Sequence, residues 1–206
     1  MKSDKNEHGK VQQNKKKKEK MLFSAAYELF TTKGTNNTAI DDIVKKAGVA
    51  KGTFYLYFKD KYDIIDRLIL DKSTKLINEA VNEMSKVGLE DFKEKTLFFI
   101  NYVITYFKQN KLMLKLINKN FSSGLFKRAA TNADDHAHAE IQEVFKLFIG
   151  NLVDSGMDKK EAEIALFMVF ELVGSVCYSS IILQEPKDID EIKPILFKNI
   201  LKIMEI

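Results

Sequence analysis

Cysteine is almost absent. Cys177 stands alone among 206 residues, so no internal disulfide can form, and one thiol supplies neither a zinc-finger framework nor the staples of a small secreted domain. A reducing cytoplasm is the expected compartment. Proline and glycine are also scarce, at two and nine, which excludes collagen-like and wholly disordered chains. No apolar run reaches eighteen residues without a charge, and residues 1–20 lack the apolar stretch of an export signal. The expectation is therefore a protein neither exported nor spanning a membrane. What is abundant is the material of a core: hydrophobic residues make up 45% and charged residues 30%, the balance of an ordered, helical protein. The length fits one large domain, or a small one followed by a larger.

The net charge of +4 is unevenly spread: residues 1–20 carry +5, residues 21–72 carry +1 and residues 73–206 carry −2. An end so enriched in lysine attracts polyanions, because each ammonium beside a phosphate releases a condensed counterion. The run Lys15, Lys16, Lys17, Lys18 with Lys20 is placed to touch a nucleic-acid backbone. Residues 1–15 otherwise read as a basic, disordered tail, too polar to bury the surface that ordering requires.

Helical periodicity begins near Lys16. Met21, Leu22, Ala25, Ala26, Leu29 and Phe30 form one stripe, and the helix stops near Gly34. Thr38, with Asp41 and Asp42 behind it, reads as the N-cap of a second short helix ending at about Ala47. Gly48 supplies a tight turn, a third short helix starts near Ala50 and ends by Lys59, and Asp60 caps a fourth that runs to about Val87. Further helices are expected at about 90–109, 111–120, 125–154, 158–184 and 188–205. No run alternates with period two, so the fold class is all-α.

Residues 39–58, Ala-Ile-Asp-Asp-Ile-Val-Lys-Lys-Ala-Gly-Val-Ala-Lys-Gly-Thr-Phe-Tyr-Leu-Tyr-Phe, have the spacing of a helix-turn-helix, whose second helix enters the major groove of DNA. Ile43, Val44, Val49, Phe54 and Phe58 are the expected packing residues. Lys51, Gly52, Thr53, Tyr55 and Tyr57 are left facing outward. Lysine brings charge, glycine lets the backbone come close, and the hydroxyls can bond phosphates or bases. Tyr55 and Tyr57 have a second reading, with their rings partly packed on the first helix and only the tips wet.

These residues carry a resemblance. Thr-Ala-Ile-Asp-Asp-Ile, Ala-Gly-Val-Ala-Lys-Gly-Thr-Phe-Tyr, Tyr-Phe-Lys-Asp-Lys and Ile-Ile-Asp-Arg-Leu, spread over residues 38–68, resemble the DNA-binding domain of the TetR family of bacterial transcriptional regulators. The resemblance implies a homodimeric regulator with an N-terminal three-helix helix-turn-helix domain, which binds a palindromic double-stranded operator. It also implies a C-terminal helical domain that binds a small effector and dimerises. Thr38 falls where the family caps its second helix and meets a phosphate, and Lys61 where it anchors the fourth helix to the DNA backbone. Lys51, Gly52, Thr53 and Tyr55 fall on recognition-helix contact positions, and Tyr57 on a phosphate contact. Leu56 departs from the polar or aromatic residue common at its position. The expected division is the tail at 1–15, the DNA-binding domain at 16–72 with its motif at 39–58, and the ligand-binding and dimerisation domain at 73–206.

In that last region the helix near 90–109 is apolar on nearly all sides and is expected to be buried all round. An elongated, aromatic-lined cavity for a hydrophobic effector is expected beside it, lined by Phe99, Tyr102, Val103, Phe167, Phe170 and Tyr178. Glu171 and Asn101 are the polar candidates for orienting the ligand. An ordinary Phe-rich core is the competing reading. Residues 164–176 are apolar around most of the helix, so a homodimer through residues 158–206 is expected. That interface would use Ile195, Leu196, Ile200, Leu201 and Ile203, close approach at Gly174, Ser175 and Ser179, and Cys177 as a small packing residue.

Asp134, Asp135, His136, His138 and Glu140 form a weak metal-like cluster that reads more simply as a solvated stretch. A metal-dependent hydrolase built on residues 134–140 is the competing class, but the chain holds no HExxH, nucleophile elbow or phosphate-binding Gly loop. No cofactor, resident metal or catalytic residue is expected, and no membrane partner. Within the regulator class, the alternative is a DNA binder without an effector.

Overall fold

The computed structural model describes residues 3–120 and 139–206, with side chains over 13–117 and 141–206. Among the described residues the fold is helical, without strands. Two compact units divide between Ile69 and Leu70.

The first unit begins with α1, Ser3–Thr32, followed by α2, Ile40–Ala47, α3, Lys51–Tyr55, and the start of α4, Lys61–Val87. Its core is the predicted stripe of α1 from Leu22 to Phe30, with Ile43, Val44 and Ala47 of α2, Phe54 and Phe58 around α3, and Ile64, Ile65 and Leu68 of α4. Met21, included in the sequence stripe, stays exposed. The structure also carries helix through the segment expected to be a disordered tail, starting at Ser3. Lys, Gln and Glu are good helix formers, and Gly9 is the sole glycine there, so local propensity favours extending α1 even without a core.

The turn into α2 differs from its expected form. Ala39, not Thr38, is the N-cap residue, and the Asp42 carboxylate accepts the Ala39 N–H at 3.0 Å. Thr38 is buried, and its hydroxyl donates to the Gly34 carbonyl at 2.8 Å, closing the α1–α2 turn from inside. Asp60 caps α4 as expected, accepting the N–H groups of Tyr62 at 2.8 Å and Asp63 at 2.9 Å.

The second unit holds the rest of α4, then α5, Phe92–Gln109, α6, Lys111–Asn120, α7, Ala139–Asp154, α8, Lys159–Cys177, and α9, Ile189–Ile203. The last turns of α8, Tyr178–Leu183, widen into a π-helix. Asp91, Asp158 and Asp188 cap α5, α8 and α9 through their carboxylates. Helix α8 packs on α5, α6, α7 and α9 and is the hub of this unit. By length and composition, Lys159–Leu183 alone among the described residues is long and apolar enough to cross a membrane, with Glu171 interrupting it.

Burial of α5 on every side does not occur. Thr96, Ile100, Ile104 and Phe107 make one fully buried line, whereas Phe98, Phe99, Tyr102 and Val103 are half-buried. One flank of the helix faces open space inside the unit, described below.

Thr38→Val keeps the shape but leaves the Gly34 carbonyl without its partner. Equilibrium urea unfolding should show a loss of ~1 kcal/mol for the N-terminal unit, the net worth of a hydrogen bond to a partly buried acceptor.

Candidate nucleic-acid interface and ligand cavity

The geometry of α3 is set from below. Gly48 adopts φ 67°, a conformation costly for any residue with a Cβ, and the Val49 N–H returns to the Val44 carbonyl at 3.0 Å. The chain therefore leaves α2 sharply and starts α3 at Lys51. Phe54 and Phe58 then drop into the core, their ring centroids 5.4 Å apart, and the Phe23 ring of α1 meets Phe58 edge-on at 5.1 Å. The Arg67 guanidinium covers Phe58 at 5.4 Å while bonding Asp63 at 2.9 and 3.1 Å. With both rings committed inward, the outer side of α3 presents Lys51, Gly52, Tyr55 and Leu56 to solvent.

The predicted contact residues divide into two groups. Tyr55 is 53% exposed, with its ring edge resting on Phe54 at 5.5 Å, and a Cβ built at Gly52 would meet nothing within 4 Å. Thr53 and Tyr57 are half-buried, and the Tyr57 ring lies 6.3 Å from Phe58. Leu56 is the most exposed large apolar residue among the described residues, at 75%. Thr38 does not join this surface, because its hydroxyl is turned inward. Lys61 is half-buried and donates to the Thr35 carbonyl at 2.9 Å, tying the start of α4 to the α1–α2 turn.

Sequence reasoning also missed a partner for Lys51. Its ammonium lies 2.8 Å from the Asp41 carboxylate of α2, and that hydrogen bond holds the lysine above its ordinary pKa. Ten residues and a turn separate the two, so no helical spacing announces the pair. Both groups are exposed, and an incoming phosphate can compete with Asp41 for the lysine at little cost. Tyr62, exposed beside Lys61, is a further aromatic that the sequence did not single out.

In the second unit a cavity of about 320 Å³ lies among α4, α5, α6, α7 and α8. Phe99, Val103 and Phe170 line it as expected, with Phe145, Phe148 and Ile77 among the other walls. Tyr102, Phe167 and Tyr178 do not line it, and neither does Asn101. The reason is helical phase: Leu166, Val169, Phe170 and Val173 share the cavity side of α8, and Phe167 falls outside that arc, 41% exposed. Glu171 belongs to the lining, yet it is exposed, so it stands at the edge of the cavity rather than deep within it. The contribution of α4, through Ser73, Leu76 and Ile77, had no sequence signal, since its stripe reads equally well as plain core.

The outer face of α8 carries Ile164, Phe167 and Met168, all exposed, and Ile195 of α9 is 64% exposed. Other residues expected at an intersubunit bundle are used differently. Leu196 and Ile200 are buried in the chain's own core, because α9 must spend one face on α8, and Leu201 and Ile203 are half-buried. Cys177 is likewise internal, and burial pushes its thiol up to about 12. Gly174 and Ser179 are half-buried, and Ser175 is exposed. Asp134, Asp135, His136 and His138 lie outside the described residues, as does the side chain of Glu140. Among the described residues no three His, Cys, Asp or Glu gather to hold a metal.

Residues 22–68 match the pattern of bacterial regulatory proteins of the tetR family. The chain is 41% identical over 71 residues to YvdT, an HTH-type transcriptional regulator of Bacillus subtilis (strain 168), covering 34% of this chain and 36% of that one. It is 37% identical over 81 residues to the fatty acid metabolism regulator protein of the same organism, covering 39% and 38%. The matches thus span little more than a third of these relatives. Over a much larger share, 87% of this chain and 96% of the other, the fold follows that of B. subtilis FadR, solved in complex with stearoyl-CoA, with a TM-score of 0.63 and 21% identity. The chain is thus similar to bacterial regulatory proteins of the tetR family over residues 22–68, and its all-helical fold follows that of FadR over most of its length.

Proposed function

We propose that this chain is a ligand-responsive DNA-binding transcriptional regulator, a repressor that a hydrophobic small molecule releases from a palindromic operator. The observation that carries this reading is the outer side of α3: Lys51, Gly52 and Tyr55 are exposed together on a short helix held by two buried rings. A short helix so anchored can be laid in a major groove without deforming, with Gly52 admitting the DNA backbone and Tyr55 and Thr53 offering hydroxyls. Tyr57 and Lys61 are assigned to phosphates at the margin. Thr38 acts here as a positioning residue for the turn, not as a hydroxyl donor to DNA.

The reading of the second unit rests on the cavity. Its size suits a small molecule, and its phenylalanine walls suit one that is mainly apolar. The same fold accommodates a long-chain acyl ligand in FadR. The effector acts by differential affinity: it binds better to a state in which the two recognition helices of a dimer no longer match half-sites ~34 Å apart, and so draws the population off DNA. Exposed Ile164, Phe167 and Met168 support a homodimer through residues 158–206, since a partner helix covers an apolar stripe that the chain leaves open. That same cover accounts for the hydropathy of Lys159–Leu183 without a membrane. The relatives matched over the N-terminal region are named as regulators.

The decisive experiment selects duplexes from random DNA and titrates the winner. Lys51→Ala with Tyr55→Ala should reduce preference for the selected operator by at least ~10-fold, within the ~1–3 kcal/mol that a base contact commands, while the fold is kept because both side chains are exposed. Unchanged preference would overturn the assignment of α3. For the cavity, Phe99→Ala and Phe170→Ala should each raise, by ~10-fold or more, the concentration of a screened lipophilic compound that half-releases the operator, as expected when a buried ring contact worth ~2 kcal/mol is lost. Sedimentation at micromolar concentration should give a dimer for the natural chain and a monomer for Phe167→Glu with Met168→Glu. A monomeric natural chain would remove the basis for paired half-sites.

A further inference from the structure

The α1 helix begins long before its core does. Leu22 is the first buried residue of the described side chains, whereas residues 13–18 and Lys20 are exposed and Glu19 is half-buried. Over residues 13–20 the helix therefore projects without an apolar face of its own, a length of ~12 Å at 1.5 Å per residue.

Such a helix is costly to keep. Lys15 and Lys18, and Lys17 and Lys20, are three apart, while Lys16 and Lys20 are four apart, so like charges are neighbours along its surface. None of these five lysines has a carboxylate partner among the described residues, in contrast to Lys46 and Lys51 of the same unit, which pair with Glu28 and Asp41. A helix polar all round and loaded with one sign of charge is stabilised by whatever neutralises it. Its point of departure is also defined: Phe23, next to the first buried residue, stacks edge-on against Phe58, just past the end of α3. The projecting segment therefore leaves the unit beside the recognition helix.

We infer that residues 13–20 of α1 form a phosphate-binding arm, which grips the DNA backbone flanking the site read by α3 and adds affinity without sequence preference. The inference rests on the DNA-binding reading above. Duplex DNA is the occupant that both the charge and the position call for, because its phosphates recur every few ångströms along a path that a lysine-coated helix of this length can follow. The arm contributes through counterion release, so it strengthens binding to operator and random sequence by the same factor.

The test uses the full chain with Lys15→Gln, Lys16→Gln, Lys17→Gln, Lys18→Gln and Lys20→Gln combined, since glutamine keeps the helix propensity and removes the charge. Binding to a selected operator and to a random duplex is titrated between ~50 and ~200 mM KCl. At ~0.9 per phosphate contact, the salt slope should become shallower by ~4, affinity should fall equally for both duplexes, and their ratio should persist. A matched variant with Lys93, Lys95, Lys111, Lys115 and Lys146 changed to Gln should keep its slope, which separates the arm from net charge. A slope change below ~2 in the arm variant, or an equal change in the matched variant, overturns the arm. So does an unchanged DNA slope with loss of binding to phosphatidylserine vesicles, which would make the arm a membrane contact. Failure of the helix-turn-helix reading looks different: the natural chain would bind both duplexes equally, and the slope comparison would still report on the arm.

Discussion

Phe54 and Phe58 are the residues on which the presentation of α3 depends. A helix of five residues has almost no stability of its own, because the cost of nucleation is never recovered by propagation. It exists here because Phe54 within it and Phe58 just past its end are fully buried against each other, Phe58 also meeting Phe23 and Arg67. Once those rings are committed inward, Gly52 and Tyr55 face solvent, and Lys51 faces solvent and the Asp41 carboxylate. Gly48 sets the angle, the α1 stripe supplies the floor, and the Thr38 and Lys61 bonds to backbone carbonyls hold the turn beside it.

Charge complements that packing without helping to build it. The positive excess resides in the N-terminal unit, and the remainder of the chain is slightly acidic. Within the unit some lysines are engaged: Lys46 with Glu28, Lys51 with Asp41, Lys61 with the Thr35 carbonyl. Exposed pairs of this kind add little stability, and they yield readily to a stronger anion. On the proposed DNA-binding reading, they keep the ammonium groups of Lys46 and Lys51 in place until a phosphate displaces the carboxylate.

In the second unit one helix serves two ends. The inner arc of α8, at Val169, Phe170 and Val173, walls the cavity, while its outer arc shows Ile164, Phe167 and Met168 to solvent. On the proposed reading, a ligand that pushes on the inner arc would act on the same element as a partner packed on the outer arc. The cavity itself follows from large rings that do not interlock: Phe99 and Phe148 lie 5.5 Å apart, and Phe92 and Phe148 5.7 Å apart, yet space remains beside them.

Most of the helices, the Asp60 cap, the Gly48 turn and the outward set at Lys51, Gly52 and Tyr55 were legible in the sequence, because each follows from local rules: period, propensity and the φ that glycine permits; the helical start at Ser3 and the early end of α3 at Tyr55 were not. The sequence also located an aromatic cavity in the C-terminal half, since so many rings at helical spacing must meet somewhere. Which rings meet was another matter. Phe167 and Phe170 read alike in a helix apolar on most sides, and only the neighbours of α8 select Phe170 for the cavity and leave Phe167 outside. Thr38 looked like an exposed cap, but the path of α1 brings the Gly34 carbonyl to its hydroxyl and turns it inward. Lys51 looked free until the bend at Gly48 swung it against Asp41. In each case the deciding quantity was a distance between residues on different elements, and such distances come from the packing of helices, which no periodicity within one helix encodes.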